Sequence, residues 1–166
     1  MNIMSNPVID IDYFDYVNIA SQEHQNKAQT GDLFFNGSSE TPEEVGMCSV
    51  LHDEISNLYL NSFCFGFRLN KDSNSDGLFL SYYFRSGEGR KLIFSSAQGA
   101  TRYNLAKSNF LKLEIPLPKI EEQKYFAKIF SEMDAEIATI EKKLEKVKMV
   151  KQGMMQQLLT GKIRLV

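Results

Sequence analysis

At 166 residues, 43% of them hydrophobic and 24% charged, the chain can build one globular core plus an appendage, which excludes a fibrous or disordered class. Its 19 basic and 21 acidic residues nearly balance, so net charge alone selects neither a polyanion nor a polycation as partner. No apolar run approaches the ~18 residues of a membrane span, the opening MNIMSNPVIDIDYF lacks the basic-then-apolar order of a secretory leader, and Cys48 and Cys64 form no CxxC pair. Those features together predict a cytoplasmic protein with reduced thiols.

In chain order, residues 1–20 turn from polar to apolar and aromatic (Ile9, Ile11, Tyr13, Phe14, Tyr16, Val17), which predicts a short strand or edge segment. Residues 21–30 are polar and read as a loop. Gly31-Asp32 signals a turn before Leu33-Phe34-Phe35, a short buried strand. The stretch NGSSETPEEVG, from Asn36 to Gly46, reads as a loop or a capped helical turn. Met47–Leu51 and the aromatic-rich Leu58–Leu69 read as strands, with NKDSNSDG after them as a polar turn. Leu78–Phe94 places apolar residues near helical spacing, broken at Gly87 and Gly89, and predicts a helix, a turn and a second short helix. Ala97–Asn104 reads as a glycine-bearing loop, and a strand is expected from about Leu111 to Pro116.

The final segment is the most regular. Glu121 and Glu122 fall in what should be a first helical turn, where carboxylates favour the positive helix end. Beyond them Met133, Ile137, Ile140, Leu144, Val147, Lys151, Met154 and Leu158 recur in alternating steps of four and three, the ladder of a coiled-coil seam with one polar member, Lys151. A helix from near Ile120 to near Thr160-Gly161 would be a rod of ~58 Å at ~1.5 Å per residue. Its apolar seam calls for a partner helix. Gly153 weakens it locally by ~1 kcal/mol relative to alanine. The elements predict an α+β chain: a small mixed domain over residues 1–118, then a long helix with a short tail over 119–166.

Charge follows position. The first sixty residues hold ten acidic groups and one basic group, Lys27, whereas residues 61–118 hold eight basic and four acidic groups. A polyanion would therefore meet the middle of the chain. Ordinary solvated surface explains the same basic set. Lys142, Lys143, Lys146 and Lys148 read as a solvated helix face. His24 and His52 stand alone, without Cys or His at ligand spacing, so no metal site is expected. Cys48 and Cys64 read as small buried apolar residues. No nucleophile elbow, phosphate loop or methyl-donor motif occurs, so no catalysis is expected on this chain.

The block IPLP at Ile115–Pro118, EEQ at Glu121–Gln123 and the tail from Gln156 to Arg164 resemble the conserved region of DNA-specificity subunits of type I restriction–modification systems. Upstream, Gly31-Asp32-Leu33, the stretch from Ser39-Glu40-Thr41 to Gly46, and Gly99-Ala100-Thr101-Arg102 with Asn104 resemble the latter part of such a subunit's target recognition domain. The resemblance covers roughly residues 30–166. Members usually carry two recognition domains and two long helices; this chain has one helix and resembles a half-subunit lacking the start of its recognition domain. The resemblance implies double-stranded DNA as ligand and one half of an interrupted target as the sequence read. The DNA contacts it implies would fall on loops, with Ser38, Ser39, Thr41, Arg85, Arg90, Lys91, Thr101, Arg102 and Asn104 as candidates, Arg102 first because Gly99 lets the backbone approach closely. It implies an antiparallel helix pair, formed by a homodimer, that sets half-site spacing. The implied partners are the methyltransferase and restriction subunits, which would themselves use S-adenosylmethionine, ATP and Mg; no cofactor falls to this chain. The alternative is a coiled-coil adapter without DNA binding, which the acidic first sixty residues favour.

Overall fold

A computed structural model describes residues 2–19, 22, 25–99 and 101–164. The centre of the first unit is β1 (Leu33–Asn36), whose four residues are all buried. It is flanked on both sides by antiparallel partners, β3 (Cys48–Val50) and β4 (Cys64–Phe67), in the order β3-β1-β4. The registers pair Phe34 with Ser49 on one side and Gly66 on the other. Successive side chains alternate across a strand. Leu33 and Phe35 accordingly join one cluster, with Phe65, Phe84 and Ile93, while Phe34 joins another with Ile3, Ile9 and Leu51. Covering both faces is why LFF shows no polar alternation in the sequence.

The larger cluster is aromatic. Phe35 stacks on Phe65 at 5.5 Å, and Phe110 sits 4.6 Å from Phe35 and 4.7 Å from Phe67. Such ring pairs add about 0.5–1.5 kcal/mol each beyond their buried area. Helix α2 (Gly77–Arg85) supplies Phe79, Leu80 and Phe84 to this core, and α3 (Gly87–Ser96) supplies Ile93. Asp76 caps α2 by accepting from the Phe79 amide at 2.8 Å. Ser86 ends α2 and starts α3, accepting from the Gly89 amide at 3.2 Å. A Cβ on Gly89 would lie 2.0 Å from the Tyr83 carbonyl, so this tight helix–helix junction requires glycine.

A second small sheet has the order β2-β6-β5, from β2 (Ser38–Ser39), β5 (Ala97–Gln98) and β6 (Tyr103–Leu105). It corrects the expected loop over Ala97–Asn104, which is a hairpin, and gives the Asn36–Gly46 stretch a strand. Three more expectations change. The N-terminal segment begins with α1 (Asn2–Ser5), and its only ladder contact among the described residues is a parallel bridge from Val8 to Val50. The Leu58–Leu69 strand contracts to β4, because the Asn61 side chain accepts from the Phe63 amide and its carbonyl from the Cys64 amide, forming a turn. Leu111–Pro116 carries no strand. After α4 (Lys107–Phe110), Leu113 and Ile115 do pack on the core alternately with exposed Lys112 and Glu114, but without a ladder. Alternation reports side-chain direction, and prolines 116 and 118 donate no amide hydrogens.

Helix α5 runs Ile120–Leu158, 39 residues, as expected. The chain divides within this helix into two compact units, residues 1–127 and 128–166. Its first two turns belong to the first unit, where Gln123 and Ala127 are buried. Gln123 is fully enclosed. Its Nε2 donates to the carbonyls of Asn74 at 3.0 Å and Pro118 at 2.8 Å, and its Oε1 accepts from the Asp76 amide at 2.9 Å. Glu122 accepts from the Lys119 amide at 3.1 Å, half of a capping box.

Candidate nucleic-acid interface

Three segments distant in sequence meet at Gly37. Its amide donates to the Phe63 carbonyl at 2.8 Å, and its carbonyl accepts from the Leu105 amide at 3.0 Å. The strand pairing then sets Ser38 opposite Asn104 and Ser39 opposite Tyr103. The result is a shallow groove of about 450 Å³ lined by Gly37, Ser38, Ser62, Phe63, Cys64, Phe65, Arg102, Asn104, Leu105 and Lys107. Its charged lining residues are Arg102 and Lys107, with no carboxylate among them. A groove lined by two cations and no carboxylate is suited to a polyanion.

Arg102 is held at two points. Its Nε donates to Ser38 Oγ at 2.7 Å, and its guanidinium carbon lies 5.8 Å from the centre of the Phe63 ring. An exposed cation–π contact contributes about 0.5–1 kcal/mol. The hairpin geometry behind it depends on Gly99, whose φ of 134° lies in the glycine-favouring region and whose Cβ would stand 1.9 Å from the Arg102 carbonyl. The Asn104 side chain donates to the same carbonyl at 3.2 Å. Thr101 is exposed on this hairpin; the adjoining Ala100 lies outside the described residues. Burial pushes the Cys64 thiol up to about 11, so the groove wall is neutral there.

Of the sequence candidates, Ser38, Thr101, Arg102 and Asn104 therefore come together. Ser39 adjoins them but is buried, donating to Glu44 Oε2 at 2.7 Å and accepting from the Thr41 amide; Thr41 itself is exposed. Arg85 and Arg90 are turned to the protein's own backbone. Arg85 donates from Nε to the Cys48 carbonyl and from Nη2 to the Ile3 and Asn6 carbonyls, each at 2.6 Å. Arg90 donates to the carbonyls of Pro42 and Val45, and burial lowers its pKa. Lys91 is on exposed α3 surface, paired with Glu88 at 2.7 Å, and that pairing raises its pKa.

Sequence reasoning missed Phe63, Ser62 and Lys107. Phe63 shares its parity with buried Phe65, yet it is 55% exposed. The one available signal was Asn61-Ser62, a turn pair that rotates the following residue out of the strand. A larger open depression, about 800 Å³, is lined by Lys27, Thr30, His52, Glu54 and Asn57 among others. It mixes charges, and its lysine is already bound to Asn57 at 2.8 Å, so it offers a polyanion less. His24 lies outside the described residues. Among the described residues, no cluster of three or more His, Cys, Asp or Glu is arranged to hold a metal ion.

In the second unit, Met133, Ile137, Ile140, Leu144, Val147 and Met154 are 51–64% exposed. Lys151 is exposed on the same ladder and Leu158 is half-buried. The ladder continues upstream at the same steps through Phe130 and Phe126, 43% and 39% exposed. No helix among the described residues is long and apolar enough to cross a membrane.

Comparison with known proteins places these features in context. A family profile described as type I restriction modification DNA specificity domain matches residues 6–149. A protein of Methanocaldococcus jannaschii named as the type I restriction enzyme MjaX specificity subunit is 31% identical over 160 residues, 95% of this chain and 37% of that protein. The MjaVIII specificity subunit of the same organism is 38% identical over 90 residues, 54% of this chain and 21% of that protein. The chain thus spans well under half the length of the curated relatives it matches.

Proposed function

Because this chain belongs to the family of type I restriction–modification DNA specificity domains, we propose that its first unit recognises one half of an interrupted double-stranded DNA target. The observation that carries this reading is the groove, in which Arg102 and Lys107 stand with Ser38 and Asn104 and no carboxylate. Its hydroxyl, amide and cationic groups are the types that contact phosphates and base edges. Helix α5 pairs through its exposed ladder with a second such helix, antiparallel in a homodimer, and the helix length sets the distance between half-sites. The pair docks methyltransferase subunits, which with a restriction subunit supply S-adenosylmethionine, ATP and Mg chemistry in the cytoplasm. This chain contributes recognition and no catalysis.

The test is the salt dependence of duplex retention by the full chain, alone and with a type I methyltransferase subunit. Affinity should fall steeply with salt, and Lys107→Ala should reduce the logarithmic slope by about 0.9, one phosphate contact. Retention of no duplex, or retention indifferent to salt, defeats the reading. One observation favours an adapter without DNA binding: ten acidic groups against one basic group in the first sixty residues. That reading predicts no salt-sensitive retention under either condition.

A further inference from the structure

We propose that the groove reads guanine through Arg102, with Phe63 contacting the methyl group of a neighbouring thymine and Ser38 acting as the positioning residue. This inference rests on the DNA-recognition reading and adds the identity of the bases.

The argument starts from how Arg102 spends its donors. A guanidinium has five N–H groups in a fixed plane. Among the described residues, Ser38 Oγ is its one hydrogen-bond partner, reached from Nε. With Nε engaged, the two terminal nitrogens of this exposed side chain remain as a pair of adjacent donors along the outer edge of the guanidinium. In the major groove guanine presents two adjacent acceptors, O6 and N7, whereas adenine sets a donor beside its acceptor. Cytosine offers a donor that needs a carboxylate or similar acceptor, and none lines this groove. A pair of terminal guanidinium donors therefore matches guanine with two bonds, whereas adenine N7 or thymine O4 accepts only one.

Pre-organisation supports the assignment. Arg102 springs from a hairpin fixed by Gly99, and Ser38 lies on the strand paired to it. The side chain is held at both the Ser38 hydroxyl and the Phe63 ring, so little rotamer freedom remains to be lost on binding. Phe63 is half exposed beside the guanidinium, and the thymine methyl is the apolar group that base edges offer in the major groove. Lys107, at the same groove, supplies phosphate attraction without base preference.

The experiment is selection by the full chain, alone and with a type I methyltransferase subunit, from a random-sequence duplex pool, followed by affinity measurements on the selected duplex. The wild-type chain should enrich a half-site containing guanine beside thymine. Arg102→Ala should lose roughly ten- to a hundredfold affinity for that site and the preference with it. Arg102→Gln should move the preference from guanine to adenine, since glutamine matches the adenine edge. Replacing the thymine by deoxyuridine, which lacks only the methyl, should weaken wild-type binding about fivefold and leave Phe63→Ala unaffected. Ser38→Ala should lower the guanine preference with an unchanged salt slope, and a simple loss of folding would not do that. Selection of sites without guanine, or a guanine preference that survives Arg102→Gln, overturns the inference while leaving DNA recognition intact. If the wild-type chain retains no duplex, DNA recognition fails and this inference fails with it.

Discussion

Gln123 shows how one side chain can define a junction. It is a polar residue with no exposed surface, and all three of its hydrogen bonds run to backbone groups, at Asn74, Asp76 and Pro118. Burial of an amide is tolerated only when its donors and acceptors are met. It fastens the start of α5 to the loop before α2. Gln123→Ala would orphan the Asp76 amide and two carbonyls, at about 1–3 kcal/mol for a group left unsatisfied in the interior. We expect a urea midpoint lowered by an amount corresponding to about 3 kcal/mol; a change below about 0.5 kcal/mol would show the amide to be dispensable. The EEQ motif was visible in the sequence, but its glutamine carried no sign of burial, because its partners lie up to 49 residues away.

At the scale of the element, α5 is where sequence and structure agree best. The ladder from Met133 to Leu158 depends on local period alone, and the structure leaves its apolar members from Met133 to Met154 exposed. Phe126 and Phe130 extend it by two steps. A helical seam of this kind is stabilised by packing against another helix rather than by propensity. Ile140→Glu with Leu144→Glu should therefore yield a monomeric chain in light scattering, with the first unit still folded. An unchanged dimer mass would reject the seam, and a monomeric wild-type chain would reject self-pairing. The strands were less legible. β1 announced itself by three consecutive apolar residues, whereas β2, β5 and β6 are two or three residues long and exist only through each other.

At the scale of the whole molecule, both cysteines sit where burial opposes ionisation. Burial pushes the Cys48 thiol far up, against the opposing influence of Arg85 and Arg90, and raises Cys64 to about 11. Both folded values exceed the ordinary thiol value of 9.0. Above pH 9 the unfolded chain releases these protons and the folded chain keeps them. The thiols' contribution is therefore complete below about pH 9 and declines as pH rises through 11. Urea midpoints should hold from pH 7 to 8 and drop by pH 10.5, and Cys48→Ala with Cys64→Ala should shrink that drop. An identical decline in the double variant would assign it to other groups. The same burial makes alkylation of the folded protein slow at neutral pH, since the thiolate is the reactive form.

The sequence by itself determined the long helix and the apolar ladder along it, the buried central strand, the helix–turn–helix of α2 and α3, and the concentration of basic residues in the middle of the chain. Each is a local or periodic property, written within a few residues of where it acts. Only the tertiary structure decided which basic side chains face outward. Arg85 reaches a carbonyl 82 positions away at Ile3, while the exposed Arg102 reaches the Ser38 hydroxyl across 64. No local pattern separates those two arginines. Their difference lies in which backbone carbonyls the folded chain carries within reach of a guanidinium, and that is settled when remote segments pack.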